Sequence, residues 1–124
     1  MANSNIILTN QNELSYTGDD AKGDGYYGYN DGLHTVSFHV SNFIGRLWLE
    51  ASIAEQPTAN DWFPIQLTST TLYQEYSTQT TDTIGVTFTG NFVWLRARVD
   101  RSHLTASSYN VTQHGRLEKV VLVI

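Results

Sequence analysis

The sequence predicts an all-β domain, and three features predict it. Apolar and polar residues alternate with period two in several segments, clusters of Gly, Asn, Asp and Thr separate those segments, and no stretch of about 12 residues keeps an apolar stripe at the helical period. The 124 residues suit one domain, and a chain of that size buries roughly 65% of its unfolded surface, enough for a core without staples. There is no Cys, so neither a disulfide nor a thiolate metal site can form. Polarity comes instead from fifteen Thr, ten Ser, nine Asn and six Gln, residues that suit pleated strands and turns.

Eight strands are expected, in order. Ile6 to Thr9 is a short first strand. Leu33 to Ser41 places Val36, Phe38 and Val40 on one face and Thr35, Ser37, His39 and Ser41 on the other. Arg46 to Ile53 sets Leu47, Leu49, Ala51 and Ile53 against Arg46, Trp48, Glu50 and Ser52. Between these two, Asn42-Phe43-Ile44-Gly45 has turn chemistry, which predicts a hairpin. Trp62 to Leu67 follows, with Pro64 limiting it to an edge, and then Thr70 to Tyr76. Ile84 to Phe88, the turn signal Thr89-Gly90-Asn91 and Phe92 to Asp100 predict a second hairpin. In its last strand Val93, Leu95, Ala97 and Val99 oppose Phe92, Trp94, Arg96 and Arg98. Leu117 to Ile124 closes the sheet, with Lys119 placed to blunt an edge. About eight strands with regular turn signals indicate a single β-sandwich, jelly-roll or Ig-like. Residues 1–32 form an irregular N-terminal arm and Gly/Tyr/Asp-rich loop, and residues 33–124 the sandwich, one domain overall. The opening ten residues have neither a basic start nor a long apolar run and are not expected to be a secretory signal.

The candidate sites are few. Asp19, Asp20, Asp24 and Asp31 sit among glycines, and hard cations take carboxylate and carbonyl oxygens in such loops. The spacing is not that of an EF-hand, so the expectation is no metal, with Asp19, Asp20 and Asp24 as the weak alternative. The four histidines are His34, His39, His103 and His114. His34 and His39 point to opposite faces if one strand carries both, so structural or surface roles are expected rather than zinc. No nucleophile elbow, no phosphate cradle before a helix and no facing carboxylate pair is visible, so no enzyme and no cofactor is expected. The net charge of -5 argues against sequence-independent nucleic-acid binding, and no run of about 18 apolar residues predicts a membrane helix. Asn110-Val111-Thr112 matches a glycosylation acceptor by chance.

One face stands out. Trp48 and Glu50 on one strand and Trp94, Arg96 and Arg98 on another share the outward side of the sandwich. Trp and Arg concentrate where partners bury a surface, which predicts a subunit contact. Two other readings stay open: Arg stacked on Trp and paired to Glu50 within the sheet, and a sugar platform. Tyr26, Tyr27 and Tyr29 in the long loop are further contact candidates.

Several stretches resemble small virion structural proteins of contractile-tailed, cyanophage-type bacteriophages. They are Gly25-Tyr26-Tyr27-Gly28-Tyr29 with Asp31-Gly32-Leu33-His34-Thr35-Val36, Asn60-Asp61-Trp62-Phe63-Pro64-Ile65, Phe88 to Ala97, and Lys119-Val120-Val121-Leu122. The resemblance covers roughly residues 25 to 124. It implies a non-enzymatic virion component made in the host cytoplasm, with no catalytic residue to carry over. The expectation is a capsid decoration or cement protein, with a tail, neck or fibre-attachment component or a carbohydrate-binding module of host adsorption as rivals. The partners would be other virion proteins, the major capsid protein or further copies of this chain, with residues 1 to about 32 as a clamp arm.

Overall fold

A computed structural model describes residues 4–23, 26, 32–68, 70–104 and 108–123. The all-β expectation holds. The strands are β1 (Ser4–Leu8), β2 (Tyr16–Thr17), β3 (Ala21–Lys22), β4 (Leu33–Ser52), β5 (Phe63–Pro64), β6 (Gln74–Thr89), β7 (Trp94–Asp100) and β8 (Arg116–Val123), with one helical turn, α1 (Val111–His114), before β8. They form one antiparallel sheet of order β1-β8-β4-β7-β2, in which β3 joins β7, and β5 and β6 join β4. The sheet folds over itself into a sandwich-like body.

The fold turns on β4, and here the structure corrects the sequence reading. The predicted hairpin is a single strand of 20 residues. Drawn straight it would reach about 65 Å, several times the radius of gyration of about 14 Å expected for a compact chain of this length. It therefore bends. Asn42 (φ 50°) and Gly45 (φ 138°) take the positive-φ conformations that a turn would use, but they make a bulge instead. The register with β6 slips between Val40 and Phe43 and again between Phe43 and Gly45. Burial changes phase there: His34, Val36, Phe38 and Val40 point inward before the bulge, and Phe43, Leu47, Leu49 and Ala51 after it. A phase change beside Asn and Gly suits a hairpin or a bulge equally in sequence. Pairing decides, because on one edge the first half of β4 bonds to β8 and the second half to β7, while β6 follows the other edge past the bulge as far as Leu47 and β5 takes Glu50 and Ala51.

Each half of β4 thus anchors one layer. The apolar rows of the two layers, including Phe38, Leu122 and Val120 on one side and Leu49, Leu95 and Val99 on the other, share one buried core. The second predicted hairpin is also corrected. Residues 82–89 of β6 pair with the first half of β4 and β7 pairs with the second, so the Gly90–Val93 link passes between layers. β8 lies between β1 and β4, but β1 pairs only with Val120–Val123, so Lys119, opposite His39 of β4 and exposed, lies where β1 has ended. Residues 4–23 supply β1, β2 and β3, and Ile7, Leu8 and Tyr16 lie in the core. A clamp made from this segment would have to unpair β1 from β8.

The bend is held by a buried cation. Arg101, just past β7, is 1% exposed. Its Nε donates to the Ile44 carbonyl at 2.7 Å, Nη1 to the Glu13 and Leu14 carbonyls at 3.1 and 3.3 Å, and Nη2 to the His114 carbonyl at 3.4 Å. The guanidinium stacks over Phe43, and Ser15 Oγ accepts its backbone N–H. Burial lowers its pKa from the ordinary arginine value. The α1 turn docks against the same site. Asn110 caps it, accepting from Thr112 N–H at 2.9 Å, which gives the Asn-Val-Thr run a structural role. Gly115 closes it with φ 67°, where a Cβ would meet the Asn42 carbonyl oxygen at 1.9 Å.

Arg101→Ala should lower the unfolding free energy by about 3–5 kcal/mol, because it strands buried carbonyls and opens a cavity. Arg101→Lys should recover only part of that, since an ammonium lacks the planar fork. Denaturant midpoints check both. Alkaline pH provides a second test. Burial pushes the Tyr16 phenol up to about 12, against the lowering pull of Arg101, whereas an unfolded tyrosine ionises near about 10. The stability contributed by the protonated phenol is therefore complete below about pH 10 and should fall by about 2–3 kcal/mol as pH rises towards 12. Tyr16→Phe should flatten part of this decline in urea titrations. The rest comes from Tyr76, whose phenol is raised by burial and by Asp82.

Candidate interaction face

The face singled out in the sequence exists. Register sets Trp48 opposite Arg98, Glu50 opposite Arg96 and Ser52 opposite Trp94, so alternation carries Trp48 and Glu50 of β4 and Trp94, Arg96 and Arg98 of β7 to one side of the sheet. Ser52 shares the parity but is fully buried, and its hydroxyl accepts from Ala54 N–H.

The side chains engage one another. Glu50 bridges two arginines, with Oε1 2.9 Å from Arg96 Nε and Oε2 3.7 Å from Arg98 Nε. Arg98 lies over the Trp48 ring at 4.7 Å, and Arg96 over Trp62 at 4.1 Å. Trp48 meets Tyr73 at 5.0 Å between ring centroids, and Arg46 covers Tyr73 while its Nε pairs with Glu75 at 2.6 Å. At the other end Trp94 donates its indole N–H to the Glu55 carbonyl, and its ring lies 5.2 Å from Tyr26, which Lys22 covers. A ladder of alternating aromatic and charged groups runs across the layer. Burial opposes the charge on Asp100, but hydrogen bonds from Ser102 and the charge of Arg98 outweigh it and lower its pKa.

The ladder is half-closed to water. The Glu50, Arg96 and Arg98 side chains are 14%, 23% and 30% exposed. Trp48 Nε1 and Arg98 Nε are shut from solvent without a hydrogen-bond acceptor, the 3.7 Å ion pair of Arg98 being too long to count as one. Intramolecular stacking, one of the open readings, is therefore part of this face. Trp62, Tyr73, Arg46 and Glu75 complete it, and sequence reasoning missed them as members. Trp62 and Tyr73 arrive from loops, and only the parity of Arg46 with Trp48 was visible.

The other candidates separate. Asp19 and Asp20 are exposed, whereas Asp24, Asp31, Tyr27 and Tyr29 lie outside the described residues. Among the described residues no three His, Asp or Glu side chains gather as a metal site would require. His34 is buried with Nδ1 3.0 Å from the Gly32 carbonyl and stacks on Phe88, and His39 is on the opposite, outer face. His39 Nε2 lies 3.0 Å from Ser37 Oγ, but its Nδ1 meets the Thr83 hydroxyl at 3.4 Å rather than an orienting carboxylate. His114 is buried, and its Nδ1 accepts from Asn110 N–H. No family model, no curated protein and no solved structure matches this chain.

Double-mutant cycles test the ladder. Glu50→Ala with Arg96→Ala should give a coupling of about 1 kcal/mol. The more exposed Arg46–Glu75 pair should couple more weakly. The reverse order would mean that burial does not set the strength of these pairs.

Proposed function

We propose that this chain is a non-enzymatic structural protein of a tailed-phage particle, acting as a decoration protein on the capsid exterior. The sequence resemblance over residues 25–124 suggests the class. The observation that carries the reading is the β4–β7 ladder, a prebuilt and partly exposed row of Trp, Tyr and Arg side chains. Such side chains contribute large contact area with a polar handle and little conformational entropy to lose, as protein-binding hot spots require. The partner in this reading is the major capsid protein or a further copy of the chain, and modest contacts repeated over a lattice add through avidity.

Cryo-electron microscopy of purified particles tests the assignment. Many copies on the capsid lattice, with the Trp48–Arg98 face against a neighbour, are expected. Particles assembled with the double substitution Trp94→Ala and Arg96→Ala should carry the chain at reduced occupancy, while circular dichroism shows it still folded. A few copies at a neck, tail or fibre would move its position on the particle. Absence from particles would remove the virion assignment.

A further inference from the structure

Most margins of the sheet are short. β1 has five residues, and β2, β3 and β5 have two each, with Pro64 in β5. β6 differs. It has 16 residues, and among the described residues only β4 pairs with it. Gly90 N–H donates to the Gly32 carbonyl at 2.9 Å. In an antiparallel ladder bonded pairs alternate, so the even-numbered residues of β6 bond to β4. The N–H and C=O groups of Gly85 and Thr87 and the C=O of Thr83 then point to the open side, while the Thr83 N–H donates to Asp82 Oδ1 at 2.9 Å, a contact that docking would exchange for a bond to the second strand. Residues 83–89, Thr-Ile-Gly-Val-Thr-Phe-Thr, contain no charge and no proline, the usual devices that protect an edge. Ile84, Val86 and Phe88 pack on the core yet are only partly buried. Gly85 adds an independent sign. Its φ is not positive, and a Cβ there would meet nothing closer than the Val36 carbonyl oxygen at 4.0 Å. Its own sheet does not require a glycine, and glycine within a strand often marks the close approach of another backbone.

We propose that the open edge of β6 docks a second copy of this chain, β6 against β6, antiparallel about Gly85. The strand is complementary to itself in that arrangement. Thr83 faces Thr87 of the other copy on the outer side, and Ile84 faces Val86 on the inner side, so within residues 83–87 polar meets polar and apolar meets apolar. Asp82, the only charge between residues 78 and 90, falls opposite Phe88, which keeps the two acids apart. The two-fold axis passes through an odd-numbered residue, as the outward-pointing N–H and C=O groups require. The half-buried inner row becomes continuous across two copies. This surface lies apart from the β4–β7 ladder, so either proposal can fail without the other.

Light scattering and sedimentation of the purified chain over a concentration series, with amide hydrogen exchange read by NMR, test the pairing. Wild type should reach twice the chain mass, and the Gly85 amide should exchange at least about tenfold more slowly in the dimer than in dilute monomer. The double substitution Thr83→Lys and Thr87→Lys opposes like charges only in the dimer and should give monomers. So should Thr83→Glu with Thr87→Glu, and mixing the two variants should restore a dimer. A chain that stays monomeric up to about 1 mM overturns the proposal, as does a dimer whose Gly85 amide exchanges at the monomer rate. If the charged variants do not fold, the wild-type Gly85 amide still decides.

Discussion

The guanidinium of Arg101 is the contact on which the rest of this structure depends. A buried cation is costly to desolvate, and it persists only where its donors are met. Here backbone carbonyls meet them, from the bulge of β4, the segment before β2 and the end of α1. Elements separated by up to 88 residues in the chain are tied at one point. The donors are fixed in a plane, so they also fix where those elements lie. Gly45 reflects the same constraint: a Cβ there would stand 2.7 Å from Arg101 Cγ.

What Arg101 holds is the bend in β4, and the bend makes two layers from one sheet. The first half of the strand carries the outer Thr, Ser and His side chains and most of the long partner strand β6. The second half carries the aromatic and charged ladder. Both surfaces follow from the irregular stretch between Val40 and Gly45, because one extra residue there reverses which parity of β4 faces the core.

The charge distribution follows from the same geometry. The chain has seven Lys and Arg against twelve Asp and Glu. Arg46, Arg96 and Arg98 nonetheless lie on one face, and Lys22 sits at its margin. Glu50, Asp100 and Glu75 neutralise them locally. The face is thus rich in cations without being a strong positive field.

Sequence alone determined the properties that depend on near neighbours. Alternation identified the apolar rows of β4 and β7, and parity put Trp48 with Glu50 and Trp94 with Arg96 and Arg98. The same parity separated His34 from His39. Only the tertiary structure decided what depends on distant partners. Asn42 and Gly45 offer the same positive-φ chemistry to a hairpin or a bulge, and the choice falls to whichever strands bury the flanking residues. Arg96 and Glu50 are 46 positions apart, and Trp62 and Tyr73 reach the ladder from loops without periodicity. Arg101 had the sequence signature of any strand-end arginine. Its role exists only where four chain segments converge, because backbone carbonyls leave no trace in the identity of the residues that carry them.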